Sequence, residues 1–193
     1  MNLPLILAST SPYRRALIAR LNYPFSVEDP QLDETPFKTQ GLAPAALAQR
    51  LAREKALAVA RRHPHALVIG GDQVAAFKDS ILSKPGTVEV AVAQLLRLQG
   101  QTHQLFTALH LLGPGIDRPI LEVTTLKMRE MDFNQARRYV ELDRPLDCAG
   151  SYKLEASGIK LFTEISGGDH DAIVGVPLMT LQSELTQLGF SLF

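Results

Sequence analysis

Asp72 closes an apolar run, Leu67-Val68-Ile69, through two glycines, Gly70 and Gly71. This pattern predicts a buried strand over residues 66–71 that delivers a carboxylate to a cleft. Its glycines leave room for backbone or ligand to come close. A plain turn aspartate has the same local sequence. Glu34 adds a second carboxylate, in the loop Asp33-Glu34-Thr35-Pro36. Lys55 follows Leu47 and Leu51 at spacings of four, so it shares the apolar face of a helix. A lysine there either snorkels to solvent or meets an anion in a cleft. Lys84 stands before Pro85, which favours an extended, fixed backbone. The segment Ser9-Thr10-Ser11-Pro12-Tyr13-Arg14-Arg15 reads as a strand-to-helix turn. A helix N-terminus favours phosphate. The Ser9 and Ser11 hydroxyls and the Arg14 and Arg15 guanidiniums add donors, and arginine grips phosphate through paired bonds. The competing reading is a capped helix with two solvated arginines.

These types form one chemical set. Arg14, Lys55 and Lys84 can neutralise phosphates, while Glu34 and Asp72 can hold a hard divalent cation through oxygen. Such an ion polarises phosphate oxygens and lowers the pKa of bound water. Phosphoryl chemistry asks for positioning and charge neutralisation more than for covalent help. Other chemistries fit less well. No G-x-x-x-x-G-K-[ST] or G-x-G-x-x-G motif occurs. Cys148, the single cysteine, has no clear partner histidine and reads as a small buried thiol. Asp169-His170-Asp171 reads as a polar loop before a helix rather than a metal cluster. His63 and His65 flank Pro64 at a helix end and read as solvated.

The elements that must position this set alternate between strand and helix. Residues 3–8 predict a buried strand, followed by a helix from Pro12 to about residue 21, with Ser11 as N-cap. Residues 24–36 read as extended or looped, and 44–62 as a helix. Lys78-Asp79-Ser80 can turn a hairpin back towards Ser83-Lys84-Pro85. Residues 87–99 predict a helix stopped by Gly100. Two alternating stretches, 101–112 and 119–131, read as an antiparallel pair joined across Gly113-Pro114-Gly115. Asp132-Phe133-Asn134-Gln135 opens another helix with capping-box spacing. A loop over 146–158, a strand over 159–165 and a helix over 177–188 complete the chain. The class is α/β or α+β with a mixed sheet.

The bulk numbers suit one globular domain: 193 residues, 46% hydrophobic and 21% charged. Twenty basic residues balance twenty acidic ones, so net charge supplies no reason for nucleic-acid or membrane partners. Any anion site must be local. One cysteine forms no internal disulfide, and no apolar run reaches membrane-helix length, which together point to a cytoplasmic protein.

Taken in order, several segments resemble the Maf nucleotide pyrophosphatases over essentially the whole chain. They are Leu7-Ala8-Ser9-Thr10-Ser11-Pro12-Tyr13-Arg14-Arg15, Asp33-Glu34-Thr35, Ala52-Arg53-Glu54-Lys55-Ala56, Gly71-Asp72-Gln73, Ser83-Lys84-Pro85, Ala149-Gly150-Ser151-Tyr152 and Val174-Gly175-Val176-Pro177-Leu178. The resemblance implies a two-lobed α/β fold of the Maf/ITPase-like kind, with an elongated mixed β-sheet and a central cleft, over residues 1–193 as a single domain. It implies cleavage of a nucleoside triphosphate to monophosphate and diphosphate with a divalent metal, Mg²⁺ or Mn²⁺. The family's functional positions fall on Arg14, Glu34, Lys55, Asp72 and Lys84, with Asp72 as the proton acceptor that activates water. Tyr13, Gln73 and Glu155 are similar to the YceF-like branch, which acts on 7-methyl-GTP, although the branch can carry Trp at the Tyr13 position. The cationic 7-methylguanine ring attracts an aromatic face, which Tyr13 can supply. Glu155 can accept from the two donors of the guanine edge. Two rival readings stand beside this one: a dTTP/UTP pyrophosphatase of the same family, and a nucleotide-binding regulator of septum formation without turnover. Family habit adds an expected homodimer.

Overall fold

The computed structural model describes residues 3–78 and 80–191. Apolar runs and capping residues place the elements along the chain. Ser11 caps the first helix through its side chain, and Thr87 and Asp132 do the same further on. In chain order the elements are β1 (Leu5–Ala8), α1 (Pro12–Ala19), β2 (Phe25–Glu28), α2 (Thr35–Lys38), α3 (Pro44–Ala60), β3 (Leu67–Phe77), β4 (Ser80–Leu82), α4 (Val88–Leu98), β5 (Thr102–Gly113), β6 (Ile116–Met128) and α5 (Phe133–Asp143). A 3₁₀ turn (Ser157–Leu161), β7 (Phe162–Ser166), α6 (His170–Val174) and α7 (Leu178–Gln187) follow. The strands form one mixed sheet in the order β2-β1-β3-β5-β6-β7, with β4 on β3. The expected α/β class with a mixed sheet is the observed one. No helix among the described residues is long and apolar enough to cross a membrane.

The chain divides into two compact units. The first holds Met1–Gln73, Thr107–Glu122 and Gly168–Phe193, and the second Val74–Phe106 and Val123–Gly167. In the first unit β1 runs parallel to both β2 and β3, with Leu5 opposite Leu67 and Ala8 opposite Gly70. Side chains alternate across this sheet. Leu5, Leu7, Leu67 and Ile69 pack with Leu17, Ile18, Leu181 and Leu185. Ile6, Ala8 and Val68 pack on the other face, with Ala56 and Val59 of α3. Burial on both faces explains the unbroken apolar runs in the sequence. Each fully buried leucine or isoleucine contributes about 1.5–3 kcal/mol.

In the second unit β4 returns antiparallel on β3, with Ala75 opposite Leu82 and Phe77 opposite Ser80. Asp79, the middle of the expected hairpin turn, lies outside the described residues. β6 pairs antiparallel with β7, Leu126 opposite Ile165. α4 packs on α5 with Leu95, Leu98, Ala136 and Val140 buried. The α5 N-terminus carries the full capping box between Asp132 and Gln135.

Some boundaries differ from the sequence reading. β3 does not stop at Gly71 but runs on to Phe77, so Asp72 sits inside a long strand and not at its end. Sheet pairing carries the backbone through glycines that locally signal a break. Within residues 24–36, Phe25–Glu28 are extended as expected and pair with β1, while Thr35 and Pro36 already belong to α2. The strand expected over 159–165 is a 3₁₀ turn followed by β7. Asp169 lies in the expected loop before a helix and caps it, but His170 and Asp171 are already the first residues of α6.

Gly70 sets the distance between β3 and α3. A Cβ there would lie 2.1 Å from the Ala52 carbonyl oxygen and 2.6 Å from the Ala56 nitrogen. Both are backbone atoms, which cannot swing aside. Gly70→Ala is therefore expected to force strand and helix apart, at the upper end of the roughly 1–3 kcal/mol of overpacking mutants or above it. Urea unfolding measures this, and a midpoint equal to wild type would refute the close approach.

Candidate active site

The close packing of α3 on β3 brings a lysine to a carboxylate. Lys55 lies on the buried face of α3, between Ala52 and Ala56, and is 9% exposed. Asp72 shares its face of β3 with Gly70, two residues away, and is 8% exposed. The Lys55 ammonium donates to Asp72 Oδ1 at 2.6 Å and lies 2.7 Å from Glu34 Oε1. Of the two outcomes open to Lys55 from sequence, the structure takes the inward one.

Glu34 arrives from the turn that opens α2. The Asp33 side chain accepts from the Thr35 backbone N–H at 2.9 Å and shapes that turn. Lys38, one helical turn on, approaches Glu34 Oε2 at 2.5 Å. Burial alone would raise the Glu34 pKa. The hydrogen bonds and charges of Lys38 and Lys55 outweigh it and hold the carboxyl near 2. Sequence reasoning passed over Lys38, although its spacing of four from Glu34 was a readable signal.

Arg14 completes the cluster. Its Nε donates to the Gly175 carbonyl at 3.2 Å, and Nη1 reaches Ser9 Oγ at a long 3.5 Å. Burial lowers its pKa, and the charges of Asp72 and Glu34 oppose that shift. A guanidinium has five donors, and among the described residues only these two contacts engage them. Gly71 makes the space: a Cβ there would meet Arg14 Nε at 3.3 Å. Ser9 is buried and also accepts from the Ser11 backbone N–H at 3.2 Å. Three cations, Arg14, Lys38 and Lys55, thus surround two carboxylates, Glu34 and Asp72. The local balance of three minus two is positive inside a chain of zero net charge, which suits a polyanion.

Gln73 faces the opposite side of β3. Its Nε2 donates to Thr107 Oγ1 at 2.8 Å and lies 2.9 and 3.0 Å from the Ala172 and Ile173 carbonyls. Thr107 in turn donates to Ala172 O at 2.8 Å. The amide nitrogen is thereby committed to α6, and among the described residues the amide oxygen is left as acceptor. Nothing in the sequence marked Thr107 or the α6 carbonyls as partners.

Arg15, next to Arg14 but a third of a helical turn round, is exposed. It lines an open recess of about 470 Å³ with Ala19, Phe25, Ser26 and Val27. Tyr13 is half-buried on α1. Lys84 and Glu155 belong to the second unit, and both are exposed. Cys148 is half-buried, and burial pushes its thiol up to about 12, which argues against a nucleophile. His63 pairs with Glu28 rather than standing free in solvent.

No group of three or more His, Cys, Asp and Glu side chains among the described residues has metal-binding geometry. Asp72 and Glu34 do converge on one ammonium, so their oxygens reach a common point. Two carboxylates suit a Mg²⁺-type ion, which fills its remaining positions with water and substrate phosphates.

The family described as Maf-like protein matches residues 4–188. Among curated relatives, the 7-methyl-GTP pyrophosphatase of Aromatoleum aromaticum is 47% identical over 190 residues, covering 97% of each chain. The protein of that name from Xanthomonas oryzae pv. oryzae is 47% identical over 188 residues, 97% of this chain and 98% of its own. The one from Pseudomonas putida is 43% identical over 189 residues, 97% of each.

The depressed Glu34 pKa has a consequence for stability. Its ionised form is favoured by folding, so the contribution is present above its usual 4.5 and is lost as pH falls towards about 2. Glu34→Gln is expected to be less stable than wild type near neutrality, with the gap closing in acid. Urea midpoints across that range test it, and a gap independent of pH would show that Glu34 carries no such linkage.

Proposed function

The chain belongs to the Maf-like family, and on that premise we propose that it hydrolyses 7-methyl-GTP to 7-methyl-GMP and diphosphate. The observation that carries the chemistry is the Lys55 ammonium held by both Asp72 and Glu34 within a cluster of positive balance. The names of relatives at 43–47% identity over nearly their whole length carry the substrate.

The residues divide the work by charge and reach. Lys55 occupies Asp72 Oδ1, which orients the carboxylate and leaves Oδ2 as the atom that takes a proton from the attacking water. Arg14, pinned at Nε, offers its remaining N–H donors to phosphate oxygens. Ser9 and Ser11 hold the turn that aims it. Arg15 stands on a different surface of α1 and can meet phosphate only at the margin. Lys84 supplies a further cation towards the leaving diphosphate. Glu34 and Asp72 would hold the divalent cation, which supplies charge neutralisation on the phosphates and acidifies water. Towards the base, Tyr13 offers an aromatic face to the cationic ring, and Glu155 accepts from the guanine edge. Gln73, its nitrogen already committed, contributes only an acceptor to the substrate.

The test is diphosphate release from 7-methyl-GTP, GTP, dTTP and UTP, with Mg²⁺ or Mn²⁺ and after exhaustive chelation. The expected order puts 7-methyl-GTP first by kcat/KM, with activity lost to EDTA and restored by metal. Asp72→Asn should lower kcat by roughly 10²- to 10⁴-fold with native circular dichroism. Glu155→Gln should shrink the advantage of 7-methyl-GTP over GTP. A better rate with dTTP or UTP would move the chain to the other branch. Tight nucleotide binding without turnover would make it a regulator. Wild-type rates in Asp72→Asn would remove the base from Asp72.

A further inference from the structure

Gln94 on α4 joins two loops of the second unit. Its Nε2 donates to the Ser83 carbonyl at 2.9 Å, and its Oε1 accepts from the Ser151 hydroxyl at 2.7 Å. One of these loops carries Lys84, and the other leads to Glu155. We propose that Gln94 is a positioning residue that fixes the spacing between Lys84 and the Ser151-to-Glu155 segment, so that phosphate neutralisation and base reading are set together. The functional half of this rests on the reading above, in which Lys84 meets phosphate and Glu155 meets the base.

Each end of the link is anchored. Ser83 precedes Lys84 and the buried Pro85, and the Gly86 backbone N–H donates to the Leu146 carbonyl at 3.0 Å. Lys84 is therefore held on both sides. At the other end Ser151 adopts φ +64°, a left-handed conformation disfavoured for a residue with a Cβ, after Gly150 at +84°. Its backbone N–H donates to the Cys148 carbonyl at 3.1 Å, and its hydroxyl is the atom bound to Gln94. Tyr152 is buried, with its hydroxyl 2.9 Å from His103 Nε2 and its ring edge-on to Phe162 at 4.9 Å. The Lys153 N–H donates to the Tyr139 hydroxyl at 2.9 Å, and Ala156 N–H donates to Lys153 O at 3.2 Å. That last turn presents Glu155.

The identity of residue 94 is chemically constrained. Only a carboxamide of this length carries a donor for the carbonyl and an acceptor for the hydroxyl. For the helix itself, a half-exposed position seven residues past the Thr87 N-cap accepts any good helix former. The two hydrogen bonds, not helix propensity, call for glutamine.

Three variants separate the two ends of the link. Gln94→Ala removes both bonds. Gln94→Glu keeps the acceptor for Ser151 and sets a carboxylate oxygen against the Ser83 carbonyl. Ser151→Gly deletes the hydroxyl while relieving the left-handed backbone, so the fold survives it. Hydrogen exchange on the free protein reads the coupling without substrate. In Gln94→Ala the Gly86, Ser151 and Lys153 amides should all exchange about tenfold faster, while α3 and β1 stay at wild-type rates. In Gln94→Glu only Gly86 should speed up, and in Ser151→Gly only the 151–153 amides. In turnover, Gln94→Glu should lower kcat and keep the 7-methyl-GTP to GTP ratio, whereas Ser151→Gly should lower that ratio. Unchanged exchange at either end in Gln94→Ala overturns the link. Equal, uniform losses of kcat and ratio in the two single-bond variants reduce it to plain scaffolding. A wild type without preference for 7-methyl-GTP would overturn the substrate reading, and the exchange data would still decide the link.

Discussion

A lysine ammonium bound by two carboxylates, where a helix packs directly on a strand, is the interaction on which the rest of the first unit depends. Lys55 lies 2.6 Å from Asp72 and 2.7 Å from Glu34. Removing one member of such a buried group strands a charge, which typically costs about 3–5 kcal/mol. The arrangement is tolerable because every member has more than one partner: Glu34 also meets Lys38, and Arg14 adds its field to both carboxylates. A stability optimum would replace the cluster with apolar side chains. Its retention fits the proposed function, in which the site receives several negative charges and holds a carboxylate ready to take a proton.

The geometry behind it is a matter of missing side chains. Gly70 lets α3 touch β3, and Gly71 leaves room on the opposite face for Arg14. Successive residues of β3 point to opposite faces. Asp72 consequently meets α3, while Gln73 meets Thr107 and the carbonyls of α6. α6 is held by Asp169, whose side chain caps it and also accepts from the Met179 backbone N–H of α7. Asp169 thus serves the candidate site at one remove: it fixes the helix whose carbonyls restrain Gln73 and whose C-cap, Gly175, holds Arg14.

The second unit handles the same problem with hydrogen bonds rather than charge. Its exposed Lys84 and Glu155 lie on loops, where side chains ordinarily wander. Here the loops are tied to α4, β5 and α5 through Gln94, His103 and Tyr139. Burial keeps the Tyr152 and Tyr139 hydroxyls protonated and His103 neutral, with its pKa down near 4, so these ties do not depend on pH in the physiological range.

The sequence by itself determined what lies within about one helical turn or one strand. Ser11, Thr87 and Asp132 marked helix starts, the runs at Leu5 and Leu67 marked buried strands, and the spacing from Leu47 to Lys55 put the lysine on the inner face. It also supplied the chemical set and the ordered motifs of the family. Tertiary structure decided the rest, because the deciding contacts join positions far apart in sequence: a separation of 17 from Lys55 to Asp72, of 161 from Arg14 to Gly175 and of 57 from Gln94 to Ser151. Pairing within the sheet carried β3 past Gly70 and Gly71, where local propensity predicted a stop. Adjacent arginines with equal local claims were separated only when α1 docked, since a helix turns neighbouring side chains by about 100°. Hydrophobic period and capping are local free energies and can be read along the chain. Which cation meets which carboxylate depends on packing distances that no local signal contains.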